Sequence, residues 1–299
     1  MKKILITGSN GLLGQKLILK LAPDPNFEVL GISKGDNRIR SVIFRYMEVD
    51  VCNKEQVQSI FSAFKPDIVI HTAAMTNVDA CETDKKGCLA LNVQAVKNLL
   101  EAAEKCKSHF IHLSTDFIFD GLSGPYDETA IPNPLSFYGH SKLDSEDLVK
   151  GYPFSWAIAR TVLVYGVVPD LSRTNIVLWA KGALEKGNPI NVVNDHFRTP
   201  TLAEDLADGC ILLAKGKHQG IYNISGPNFM SILELVERVA KFFNLPLELI
   251  KPISANTLNQ AAIRPPRTGF IIDKAKNDLG FEPTEFEQGL ALVAYQLGK

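Results

Sequence analysis

The 299-residue chain is 45% hydrophobic, 22% charged and 8% aromatic, a composition that excludes disorder and fits a folded globular protein. Lys and Arg number 32 against 33 Asp and Glu, so no basic excess points to nucleic acid, and no apolar window approaches the roughly 18 residues of a membrane span. A chain this long can bury about three quarters of its unfolded surface, in one large domain or two modest ones.

The amino end, Met1-Lys2-Lys3, is followed only by Ile4-Leu5-Ile6 before Thr7-Gly8 interrupts, so no secretory leader is expected. The five cysteines, Cys52, Cys81, Cys88, Cys106 and Cys210, are odd in number and form no CxxC pair. Reduced thiols in a cytoplasmic protein, with no metal site, are the expectation.

Along the first two hundred residues, short apolar runs alternate with amphipathic stretches. Strands are expected at Lys3–Thr7, Val29–Ile32, Ile68–Thr72, Phe110–Ser114 and Ala157–Val164, and helices at Gly11–Ala22, Lys54–Phe64 and Cys88–Lys105. Strand and helix repeated in this way predict an α/β fold, a Rossmann-type doubly wound parallel sheet. Further on, Val168–Asp170 and the span from Pro189 to Pro200 read as loops around a helix at Asn175–Lys186. A helix at Leu202–Lys215, a strand at Ile221–Ile224 and a helix at Ser231–Phe243 follow. The expected division is a dinucleotide-binding domain over 1–165, to which 200–226 returns, and a smaller C-terminal α/β substrate domain built from 166–199 and 227–299.

Directly after the first strand, Thr7-Gly8-Ser9-Asn10-Gly11-Leu12-Leu13-Gly14 spaces its glycines GxxGxxG. Gly8 suits a tight turn, Gly11 a close approach of backbone to pyrophosphate, and Gly14 close helix–strand packing, with the free N–H groups of the next helix facing the phosphates. The second strand ends at Ser33-Lys34 without an acid at its tip. These two residues suit a ribose 2′-phosphate, which favours NADPH, while the nearby Asp36 leaves NADH open. Asp50 and Val51 are placed at the adenine edge.

Tyr138 and Lys142 stand four residues apart, on one face if helical. A cation beside a phenol lowers its pKa and makes it a usable proton donor to a carbonyl. Tyr295 and Lys299 repeat the spacing at the chain end and are read as chance. Upstream, Ser114 and Thr115 end a strand at the carboxyl edge of the sheet, where ligands bind, with hydroxyls for a substrate carbonyl. Asn92 is assigned a water linking Lys142 to solvent.

With these motifs the sequence resembles the extended short-chain dehydrogenase/reductase family, and within it the dTDP-4-dehydrorhamnose reductases, over nearly its whole length. The resemblance rests on Thr7–Gly14, on Thr76–Glu82 (like T-x-V-D-x-x-E), on Ser114–Gly121 (like STDYVFDG), on Tyr138–Glu146 (like YGxxKLxxE), on Arg160–Gly166 (like RTxxVYG) and on Pro200–Ala207 (like PTxxxDLA). It implies Thr115, Tyr138 and Lys142 as the catalytic set and NAD(P)H as hydride donor to the C4 keto carbon of a dTDP-linked sugar. It further implies Ala73 and Ala74 beside the cofactor, Lys142 on its ribose, Thr76 in the substrate pocket, and Arg264 or Arg267 on the nucleotide diphosphate. A homodimer is left open. The family's magnesium carboxylate just past the third glycine is replaced here by Gln15-Lys16, so no metal is expected, and Asp195-His196-Phe197-Arg198 departs from a DQxG-like stretch. His196 is expected to be structural or solvated. Another nucleotide-sugar reductase or epimerase, and a non-catalytic subunit like the regulatory one of methionine adenosyltransferase, are the competing readings.

Overall fold

Runs such as Ile4-Leu5-Ile6 and Ile68-Val69-Ile70 have no polar face, so as strands they must be covered on both sides. The computed structural model describes residues 1–169 and 174–298. Asp170 of the expected Val168–Asp170 loop and Lys299 of the chance pair lie outside the described residues.

The sheet half of the molecule runs β1 (Lys2–Thr7), α1 (Leu12–Leu21), β2 (Phe27–Ser33), β3 (Arg45–Glu48), α2 (Lys54–Phe64), β4 (Ile68–His71), α3 (Val78–Thr83), α4 (Lys85–Leu89), α5 (Ala95–Cys106), β5 (His109–Thr115), α6 (Phe137–Lys150) and β6 (Trp156–Thr161). Then come β7 (Val164–Tyr165), α7 (Ile176–Glu185), β8 (Ile190–Val193), β9 (Phe197–Arg198), β10 (Thr201–Leu202), α8 (Ala203–Gly216) and β11 (Gly220–Asn223). The chain ends with β12 (Met230–Ser231), α9 (Ile232–Phe242), β13 (Ile250–Ile253), α10 (Asp273–Leu279) and α11 (Phe286–Gln296).

Seven strands form one parallel sheet in the order β11-β6-β5-β4-β1-β2-β3. The expected Rossmann-type α/β fold is present. Alternate side chains of β1 serve opposite faces: Ile4 and Ile6 pack with Leu17 of α1 and Leu206 of α8, whereas Leu5 packs with Phe61 of α2 and Leu99 of α5. The strand order reverses between β1 and β4, which opens a crevice at their carboxyl ends.

The expected strand Ala157–Val164 is two strands. It breaks at Leu163, whose φ of 41° is left-handed, so β6 stays in the sheet while β7 leaves to pair with β10. The expected helix Cys88–Lys105 is α4 and α5 joined through a π-helical turn at Ala90–Gln94. A second core gathers Val177 and Leu184 of α7, Leu235 and Val239 of α9 and Leu290 of α11, beside the parallel pair β8–β13. Ala275 and Leu279 of α10, although within 227–299, pack into the sheet core with Cys210 and Tyr222. Among the described residues no helix is long and apolar enough to cross a membrane, and the five cysteines are free thiols.

Candidate active site

The glycine turn is shaped by contacts that forbid a side chain. Gly8 has φ +66°, and a Cβ there would stand 2.8 Å from the Ala73 nitrogen, while a Cβ on Gly14 would fall 2.2 Å from the Gly8 carbonyl oxygen. No side chain caps α1, whose N-cap is Gly11, so the first-turn N–H groups of Leu12, Leu13 and Gly14 point into the crevice edge unclaimed by a cap. Ser9 is buried beneath them, its Oγ without a hydrogen-bond partner. An uncapped helix start over a small-residue cradle suits a diphosphate.

At the end of β2 the side chain of Asn10 donates to the carbonyls of Lys34 and Asp36 and accepts from the Arg38 N–H, fixing the loop. Lys34, expected to await a 2′-phosphate, instead pairs with Asp50 at 2.8 Å. That hydrogen bond raises the Lys34 pKa. Burial works against ionisation of Asp50, but Lys34 and the Cys52 N–H outweigh it and lower its pKa. Ser33 lies beside them, its carbonyl accepting from the Val49 N–H, and Val51 is buried.

The Tyr138–Lys142 face lies on α6 and is buried against β5. Ser136 caps the helix by accepting from the Gly139 N–H, and Glu82 accepts from the Phe137 N–H at 2.6 Å. Gly139 is required because a Cβ there would meet the Phe117 carbonyl oxygen at 2.2 Å. Burial raises the Tyr138 pKa, the facing Thr115 hydroxyl opposes the shift, and the Asp116 carboxylate adds to it. Lys142 was expected to depress this pKa. Its Nζ instead donates to His112 Nε2 at 3.0 Å, and burial brings its own pKa down to about 8. His112 stacks on His71 of β4 at 5.4 Å, and His71 Nδ1 meets the Thr7 hydroxyl at 2.7 Å. Burial, then the Lys142 charge, keeps both rings neutral, His71 titrating at about 3.

Asn92 sits in the π-helical turn, buried, accepting from the Met75 N–H at 2.8 Å and donating to the Met75 carbonyl and the Ser141 hydroxyl. It thereby holds the segment that follows Ala73 and Ala74, both half-buried beside the glycine turn, and leads to the exposed Thr76. Ser114 is buried with its Oγ unpartnered. Thr115 donates to Asp116 Oδ1 at 3.0 Å.

The two arginines assigned to a diphosphate differ. Arg264 is taken by Asp79 of the Thr76–Glu82 stretch, with Nη2 2.6 Å from Oδ2. The bond to Arg264 holds the Asp79 pKa low. Arg267 is exposed, its guanidinium 4.5 Å from the Phe197 ring centroid and 5.1 Å from that of Phe229. His196 is buried, which lowers its pKa. Gln15 donates to the Asn10 carbonyl, and Lys16 pairs with Glu204 at 2.6 Å, so both serve contacts inside the chain. Among the described residues no group of three or more His, Cys, Asp or Glu side chains is gathered as metal ligands would be.

His71, His112, Glu82 and Arg198 were missed from sequence. His71 and His112 carried a signal, since both are polar residues in apolar strands that the fold makes neighbours in register.

Residues 1–298 match the RmlD substrate binding domain family. The chain belongs to that family. It is 30% identical over 302 residues to dTDP-4-dehydrorhamnose reductase of Aggregatibacter actinomycetemcomitans, covering 97% of each chain. It is 33% identical over 258 residues to methionine adenosyltransferase 2 subunit beta of Xenopus laevis, covering 85% of this chain and 75% of that one. Among solved structures it is similar to dTDP-4-dehydrorhamnose reductase of Bacillus anthracis in complex with NADP, with a TM-score of 0.86 and 27% identity over 99% and 100% of the two chains. The RmlD relatives are NAD(P)-dependent oxidoreductases acting on nucleotide-linked sugars, and this chain shares their architecture throughout.

Proposed function

We propose that the protein reduces the C4 keto group of dTDP-4-dehydro-L-rhamnose to dTDP-L-rhamnose, with NADPH as donor and NADH as the alternative. The observation that carries the reading is the convergence of Thr115, Tyr138 and Lys142, all buried, at the carboxyl end of β5 beside the glycine turn. A reductase relative aligned over 97% of the chain and the NADP complex of the B. anthracis structure support it.

The turn Gly8–Gly14 would hold the diphosphate on its backbone N–H groups, with Ser33, Lys34, Asp50 and Val51 around the adenosine and Ala73, Ala74 and Asn92 lining the nicotinamide side. Bound there, the reduced nicotinamide supplies the hydride. Proton and charge fall to this chain's side chains. Burial keeps the Tyr138 phenol protonated, the state a proton donor needs, and Tyr138 delivers that proton to the developing alkoxide. Ser114 hydrogen-bonds the same oxygen, and Thr115 joins it by turning its one proton from Asp116 to the substrate, stabilising charge that appears only in the transition state. Lys142 turns from His112 to the ribose hydroxyls. Arg267, presented against two aromatic rings, takes the diphosphate of the sugar nucleotide as a planar fork, while Arg264 shapes the pocket near Thr76 through Asp79.

The 33% identity to a methionine adenosyltransferase beta subunit favours a second reading, a cofactor-binding regulatory protein. Oxidation of NADPH in the presence of the enzymatically generated dTDP-4-keto-L-sugar separates the two. Rapid oxidation that falls by about 10²–10⁴-fold in Tyr138→Phe, with cofactor binding retained, is expected. No oxidation alongside measurable cofactor binding by calorimetry would transfer the weight to another sugar nucleotide or to the regulatory reading.

A further inference from the structure

Asp116 is 3% exposed and lies between the two halves of the molecule. From its own side, Thr115 Oγ1 donates to Oδ1 at 3.0 Å. From the other side come two partners: the Thr268 hydroxyl donates to Oδ2, and Arg198 Nε lies 3.2 Å from the same oxygen. Arg198 is itself buried, and both terminal nitrogens are engaged: Nη1 bonds the Phe197 carbonyl at 2.7 Å and the Pro266 carbonyl at 3.2 Å, and Nη2 the Pro265 carbonyl at 2.7 Å. Its guanidinium also lies 5.8 Å from the centroid of Phe117, whose ring meets Tyr138 edge-on. A planar cation tied by three carbonyls cannot follow a wandering carboxylate, so it fixes where Asp116 stands.

We propose that Arg198 is a positioning residue: with Thr268 it holds Asp116 as a fixed acceptor that aims the Thr115 hydroxyl, so that Thr115 is oriented only when the segment 197–198 and the loop 265–268 are docked on the sheet. This deepens the reductase reading and rests on it. A buried carboxylate is stable as an acceptor only with a cation beside it. Burial pushes the Asp116 pKa up, and Arg198, then Thr268 and Thr115, work against that push. Without the guanidinium the carboxyl is free to rotate, and the oxygen that receives the Thr115 proton no longer has a fixed place. The other ionisable groups in this neighbourhood are Tyr138, beside Thr115, and His196 and Arg264, beyond Arg198.

The test is steady-state kinetics on the intact protein, with NADPH and the dTDP-4-keto sugar. Arg198→Met should lower kcat by about 10²-fold near neutral pH, as loss of orientation does, with KM for NADPH unchanged. Arg198→Lys, which keeps a cation but not the planar fork that ties it to three carbonyls, should recover part of that loss. In a Thr115→Ala background Arg198→Met should change kcat less than about twofold, because coupled residues are not additive. If Arg198→Met does not fold, Arg198→Lys and Thr268→Val are each carried through the Thr115→Ala cycle. Additive losses, or a loss confined to KM, overturn the positioning role. A wild type with no turnover on this sugar overturns the reductase reading, and with it the purpose assigned to Arg198.

Discussion

Lys142 is the residue whose chemistry changes most between sequence and structure. A lysine four residues after a tyrosine reads as a cation poised to acidify the phenol, but here it is buried and donates to a neutral His112. Burial lowers its pKa to about 8, so its charge is present below that pH and is lost as pH rises through it. NADPH affinity should therefore weaken through about pH 8, and calorimetric titration across that range should show the trend flattened in Lys142→Met. A wild-type affinity constant from pH 6 to 10, allowing for buffer, would argue against Lys142 as the ribose ligand. The glycines were legible because each needs a conformation or an approach that side chains forbid. The partners of the charged residues were not. Nothing in the order of the letters says that Lys34 finds Asp50, that Arg264 finds Asp79, or that Arg198 finds Asp116, since those pairs span 16, 185 and 82 positions and are decided by topology.

The element that matters most is α6, because it carries two of the three proposed catalytic side chains. It is held at both ends. Glu82 and Ser136 satisfy its first turn, and one turn beyond Lys142 the buried Glu146 forms a two-pronged ion pair with Arg160 of β6, at 2.9 and 2.7 Å. Breaking a buried pair leaves one charge uncompensated, so Arg160→Met should cost about 3–5 kcal/mol of stability, read as a lowered denaturation midpoint in urea. A loss under about 1 kcal/mol would mean that the pair contributes no more than a surface one. The period of apolar residues placed α2, α7, α8 and α9 within a residue or two, since each presents one apolar stripe to a core. No helix was assigned at α6, α10 or α11, and within the rest it missed α3 and the π-helical turn. Helix α3 is six residues long, too short for a period, and the turn is an insertion that turns Asn92 inward without altering the surrounding pattern.

At the scale of the whole molecule, the parallel sheet brings the ends of β1, β4 and β5 together, and the smaller half is docked over that edge by Asp79–Arg264 and by Asp116 with Arg198 and Thr268. The doubly wound fold was readable from strand–helix alternation alone. The return of β11 to the sheet was anticipated, whereas the return of α10 was not, because a seven-residue helix after a run of prolines gives no sign of which core it joins. The central claim, hydride transfer to a sugar C4, is tested most directly by isotope. With NADPH deuterated at the transferable position of the nicotinamide, the account predicts one deuterium at C4 of the dTDP-linked product for each NADPH oxidised, and formation of that product slowed by about 10²–10⁴-fold in Tyr138→Phe. Product with no deuterium at C4, or a sugar returned unchanged while the cofactor stays bound and reduced, would contradict it.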